Sequence, residues 1–149
     1  MQEHTHSINH TLQTLESLNK EVFENTKSLN KKIKSALKLT NDEDCKKVML
    51  EVLKFLFLIS KSNKILTPSI HVDNAWHEFI LHTRSYEKFC QKNFAKFIHH
   101  TPGGDEKENQ QRFKQTLALY TLNYGKPVQP WWPETPFNMD TCGSCLTSE

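Results

Sequence analysis

The chain has 149 residues, 36% of them hydrophobic, and a mean hydropathy of −0.65, which suits one polar, soluble domain with a real core. A formal charge of +2, with lysines spread along the chain, gives no footprint of a nucleic-acid binder. Four cysteines, at 45, 90, 142 and 145, form no regular disulfide framework, so reduced thiols in the cytoplasm are expected.

The start, MQEHTHSINHTLQTLESL, has neither a basic nor an apolar signal region, so no secretory leader is expected. Residues 1–7 read as a flexible leader, 8–133 as one helical domain, and 134–149 as a mobile tail containing Cys-Gly-Ser-Cys. Ile8, Leu12, Leu15, Val22, Leu29, Ile33 and Leu37 recur mostly at spacings of three, four or seven, the mark of a long amphipathic helix. The polar gap Asn25-Thr26-Lys27 leaves room for a break. Thr40 to Glu43 reads as a capping box opening a second helix. That helix is apolar nearly all round from Val48 to Ile59, interrupted by Glu51 and Lys54. Its 12 residues fall short of the roughly 20 that span a bilayer, so it is expected at the centre of the fold.

After Asn63 and Pro68, Ser69 is the expected N-cap of a third helix with the stripe Val72, Trp76, Phe79/Ile80. A stripe of Tyr86, Phe89/Cys90, Asn93/Phe94 and Phe97 follows, and the pattern leaves open one helix or a hairpin bent near Thr83–Ser85. Pro102-Gly103-Gly104 ends this segment. A last helix carries Phe113, Leu117, Tyr120 and Tyr124, with Gly125 as its C′ residue. The proline-punctuated strap that follows should fold Trp131 and Trp132 back onto the helices. No stretch alternates with period two. The expected architecture is all-α, a single-domain bundle of about five helices with a Pro/Trp-rich C-terminal strap.

Five of the eight histidines lie between His71 and His100, among four phenylalanines, Trp76, Tyr86 and Cys90. Asp73 and His77 are four apart and share a helix face, where the carboxylate can orient the imidazole or join it on a metal. The plainer reading is a surface Asp–His pair, or Asp73 as a cap. The string from His77 to His82 resembles His-Glu-x-x-His, but its second histidine is five residues on, roughly 140° around the helix. A zinc-protease motif is therefore excluded. His99 and His100 sit at the expected end of the aromatic helix, where histidines can also complement the helix dipole. Cys90 falls on the apolar stripe and reads first as a small hydrophobe. In an unbroken helix Cys90 and His100 would stand roughly 15 Å apart and could not share an ion. The terminal Cys142-x-x-Cys145 is a lone pair without a partnering pair.

Pro68-Ser69, Val72-Asp73, Trp76-His77, Thr83, Tyr86, Phe89-Cys90 and Phe97 to His100 with Pro102 resemble the glycine-rich domain-containing protein-like family. Leu117, Tyr120 and Trp132-Pro133 extend the resemblance, which covers roughly 50 to 133. The chain departs from that pattern at Phe94-Ala95, where a glycine is expected, and lacks the glycine-rich tail. The resemblance implies that Asp73, His77, Cys90, His99 and His100 form one cluster. It carries no RNA-binding role to this chain, because it lacks the additional segments of the plant members.

Three functional expectations follow. The first is a transition-metal site, zinc before other metals, on His77 with one or both of His99 and His100, completed or oriented by Asp73 or Cys90. The second is an interaction module whose long N-terminal helix binds an unknown protein partner or its own copy. The third is an enzyme using a metal-bound water or a His–Asp base, with Glu78 and His82 as further proton-transfer groups. No membrane and no nucleic acid is indicated as a partner.

Overall fold

The computed structural model describes residues 2–101 and 103–133, so the expectations for 134–149, including Cys142 and Cys145, lie outside the described residues. Six α-helices follow in order: α1 Gln2–Asn25, α2 Leu29–Leu37, α3 Asp42–Ser62, α4 Ile70–Leu81, α5 Thr83–Phe94 and α6 Glu106–Tyr124. Among the described residues there is no strand, and the helices pack around one core. The sixth helix arises because the N-terminal stripe breaks at Thr26–Ser28. The break is secured at Ser28, whose hydroxyl pairs with His82 Nε2 at 2.7 Å instead of capping α2.

Helix α3 is the central element and packs against α1, α2, α4 and α6. Its opening cap is Asn41, one residue later than the box predicts, and the Asn41 side chain accepts from the Asp44 amide at 2.8 Å. Val48, Met49, Val52, Leu53, Phe55 and Leu56 are fully buried, each contributing about 1.5–3 kcal/mol. Leu15, Val22, Leu29 and Ile33 of the N-terminal stripe are buried in the same core. Those four residues belong to the domain's core, while Ile8, Leu12 and Leu37 of the stripe are partly exposed. No helix among the described residues is long and apolar enough to cross a membrane.

The two residues that interrupt the apolar run of α3 are buried as well. Lys54 Nζ donates to Glu51 Oε2 at 2.8 Å and to the Tyr120 hydroxyl at 3.0 Å, and that hydroxyl donates in turn to Glu51 Oε1. The Trp132 indole donates to the same Glu51 oxygen at 3.0 Å, and the Tyr124 hydroxyl donates to the Lys54 carbonyl at 3.1 Å. Burial pushes both tyrosines well above the ordinary phenol range, which keeps their protons available for donation. Each member has a partner, as a buried ionic network requires. The network also fastens the strap: Trp132 lies wholly inside, and Trp131 stacks edge-on to His71 at 5.8 Å.

Candidate functional site

The site is built where α4, α5 and the segment after α5 converge. Ser69 caps α4 as its position predicts, its hydroxyl accepting from the Val72 amide at 3.2 Å. The first turn that follows points Asp73 inward, and its residue is 1% exposed. The chain reverses at His82, which ends α4 and precedes α5 directly, so the hairpin reading holds. His82 Nδ1 donates to the Glu78 carbonyl at 2.8 Å, which leaves Nε2 to accept from Ser28 when the ring is neutral. The Glu78–His82 spacing thus serves a backbone bond at the corner between helices.

Helix α5 stops at Phe94 because Ala95 adopts a left-handed conformation, φ 55°. The periodicity carries the aromatic helix on to Phe97, and this is corrected. Phe97 to Thr101 run without helical structure, and the burial pattern alternates: Phe97 and His99 face outward, Ile98 and His100 inward. His99 and His100 therefore occupy no last helical turn, and the dipole role proposed for them falls away. Nor is the straight-helix separation of Cys90 and His100 realised, since the chain folds back beside α5.

Two hydrogen bonds hold that returning segment. The Tyr86 hydroxyl donates to the Ile98 carbonyl at 2.6 Å and accepts from the Trp76 indole at 3.1 Å. This relay places His100 beside α4, where its Nε2 meets Asp73 Oδ1 at 2.6 Å. An ionised carboxylate can only accept, so Nε2–H is the donor. The ring also lies 4.6 Å from that of Trp76 and 5.8 Å from that of His77, nearly parallel to the latter. With Nε2 occupied, Nδ1 of a neutral His100 is the open lone pair, free to take a proton or a metal.

His100, with 14% of its side chain exposed, lies on the wall of a cleft of about 440 Å³. Trp76, His99, Thr101 and Gly103-Gly104 line it with His100, together with Lys64 and an Arg112–Glu108 ion pair at 3.7 Å. Gly104 has φ 80°, and a Cβ there would stand 3.1 Å from an Arg112 guanidinium nitrogen. Backbone and cation approach each other closely only because that residue is glycine.

Of the five expected cluster residues, Asp73, His77 and His100 are brought together. His99 borders the same cleft but its ring leans on Phe97 at 4.6 Å. The Asp73–His77 pair expected from their spacing is replaced by Asp73–His100, made across the fold. Cys90 is fully buried behind Tyr86 and makes no hydrogen bond to any of the histidines. Burial raises its thiol above the ordinary range, and Tyr86 and the Ile98 backbone are its polar neighbours. Among the described residues no group of three or more His, Cys, Asp and Glu side chains is arranged to hold a metal ion.

Sequence reasoning missed Tyr86 as the positioning group and the Arg112–Glu108 pair on the cleft wall. The one available signal was the proximity of Gly103-Gly104 to His100. The Glu51–Lys54 network went unseen for the same reason: its partners lie far along the chain.

No curated protein and no solved structure matches the chain. The family model that matches, over residues 14–124, is UCP032817-like, and no glycine-rich domain family is indicated, which corrects the earlier resemblance. The match takes in α2 to α6, Asp73, His100 and the Tyr86 relay between them, so the chain belongs to the UCP032817-like family.

Proposed function

We propose that this is a small-molecule-binding protein in which His100, oriented by Asp73, acts as a general acid–base group on a small anionic ligand held in the cleft. The observation that carries the reading is the 2.6 Å bond from His100 Nε2 to a buried carboxylate, made on the wall of an open cleft. A carboxylate behind an imidazole fixes its tautomer and stabilises its protonated form when a proton is taken up. Lys64, which has no ion-pair partner among the described residues, favours an anionic ligand, while Arg112 on the same wall is paired with Glu108 at 3.7 Å.

Zinc held by His77 and His100 is the second reading. It is favoured by the 5.8 Å approach of the two rings and by the carboxylate behind one of them. One set of measurements on untagged protein separates the two. For the acid–base reading, metal content stays below about 0.2 equivalents. A panel of small carboxylates and phosphates then includes members that shift the Trp76 indole and His100 resonances, and His100→Gln abolishes the shifts. A stoichiometric metal lost from both His77→Ala and His100→Ala would hand the site to zinc. A panel that leaves both resonances unmoved would remove the acid–base reading.

A further inference from the structure

A second recess, sharing no lining residue with the His100 cleft, lies between α1 and α5. Helices α1 and α5 run antiparallel there, joined at one end by Ser85 Oγ donating to the Asn25 carbonyl at 3.4 Å and at the other by the Lys92–Glu21 ion pair at 2.9 Å. Between these ties opens a groove of about 410 Å³, within the roughly 300–1,000 Å³ typical of small-molecule sites. Its floor is apolar: Leu18, Val22, Phe79 and Phe89. Its rim is cationic. Arg84, Lys88 and Lys92 stand four apart on one face of α5, and only Lys92 has an ion-pair partner among the described residues.

One end of the groove differs from the rest. Thr26 lines it, is 5% exposed, and its hydroxyl has no hydrogen-bond partner among the described residues. A buried hydroxyl left unpaired costs about 1–3 kcal/mol. Arg84 and Ser85 line the groove at this same end, in the first turn of α5, a turn with no side-chain cap. The unpaired Thr26 hydroxyl and the unpaired Arg84 thus stand at one end, and an apolar lining runs from there toward Leu18.

We infer that the α1–α5 groove binds a monomeric anionic amphiphile, a carboxylate on an unbranched hydrocarbon chain. The carboxylate meets Arg84 beside the buried Thr26 hydroxyl, and the chain lies over Leu18, Val22 and Phe89. Lys88, midway along, keeps its charge in solvent and lays its methylene stem along the groove. From Arg84 to Lys92 is eight residues, about 12 Å of helix, which matches a chain of roughly ten carbons. The Glu21–Lys92 pair closes the far end and limits length.

Sodium decanoate, kept below its micelle-forming concentration, is the probe, titrated into the full chain by calorimetry and by amide NMR. Saturable one-to-one binding is expected, with shifts at the groove-lining residues of α1 and α5, at Thr26 and around Phe79, and none at His100. Decanol lacks the charge and butyrate lacks the tail, and each should bind at least about tenfold more weakly. Arg84→Gln, an exposed position that the fold does not need, should weaken decanoate about tenfold and leave decanol unchanged, the worth of one contact to a charged group. Val22→Trp, checked for an unchanged melting curve, should abolish both by filling the groove. If it melts early, Leu18→Trp replaces it. Equal affinity for decanoate and decanol, insensitivity to Arg84→Gln, or shifts centred on the His100 cleft would overturn the assignment. So would binding seen only with phosphatidylcholine–phosphatidylglycerol vesicles and not with monomeric decanoate, since that marks a membrane surface and not a groove ligand.

Discussion

At the residue scale, His100 owes its position less to its own sequence neighbours than to one hydroxyl on another element. Tyr86 accepts from Trp76 and donates to the Ile98 carbonyl, two residues before His100. Burial holds this phenol far above its ordinary range, so the donated proton is always present. Tyr86→Phe keeps the ring and its edge-on packing against Phe79 but leaves an indole N–H and a carbonyl unpaired in the interior. The expected cost is about 1–3 kcal/mol per group left unpaired, read from urea unfolding with an unchanged slope. The same substitution should change the nitrogen resonances of His100, because the Ile98–Thr101 segment is no longer pinned beside Asp73. A variant as stable as the parent, with His100 resonances unmoved, would deny Tyr86 this role. Asp73→Asn provides the complementary contrast, altering His100 alone and leaving the relay intact.

At the scale of elements, the end of α5 decides whether a site exists, and it is made by a residue poorly suited to it. Ala95 sits at φ 55°, in the left-handed region that costs an L-residue roughly 1–2 kcal/mol. Glycine reaches that conformation freely and offsets part of the gain through its looser unfolded chain. Ala95→Gly is therefore expected to stabilise the fold by about 0.5–1 kcal/mol, visible as a higher melting temperature. A lower melting temperature would mean that the Ala95 methyl makes contacts worth more than the strain. This position also shows why part of the molecule was legible and part was not. Ser69, Gly125 and the three- and four-residue spacings announced α4, α6 and the core of α3 correctly, because caps and amphipathic faces are local. Alanine favours helix, so nothing local announces a stop at 95; the return of Phe97–Thr101 is imposed by bonds to Tyr86 and Asp73. Asp73 and His100 were both placed in one expected cluster, but the direct pairing was read as Asp73 with His77 from their spacing, whereas Asp73 bonds His100, 27 residues away. Glu51 and Lys54 looked like breaks in a buried helix for the same reason, since Tyr120 and Trp132 complete them from 66 to 81 residues on.

At the scale of the whole molecule, the C-terminal strap closes the bundle, and its two tryptophans are held by different chemistry. Trp132 is fixed by the Glu51 carboxylate, whereas Trp131 rests on the ring of His71. His71 is half-buried, and that burial lowers its pKa below the ordinary 6.5, the neutral ring being preferred in the folded state. The unfolded chain, with its histidine near the ordinary value, therefore binds the proton more readily. Stability from this residue is complete above about pH 6.5 and is lost as pH falls below it, toward the depressed folded value. Melting curves between about pH 7.5 and 5 should accordingly drop more steeply for the parent than for His71→Gln, which keeps a polar side chain but cannot take the proton. The difference between the two, rather than either slope, isolates His71 from every carboxylate and histidine that titrates in both. Tryptophan fluorescence recorded during the same melts should redden early at low pH in the parent alone, if the contact with Trp131 loosens before the core opens. Parallel pH profiles with coincident fluorescence changes would place the hold on the strap entirely in the Glu51 network.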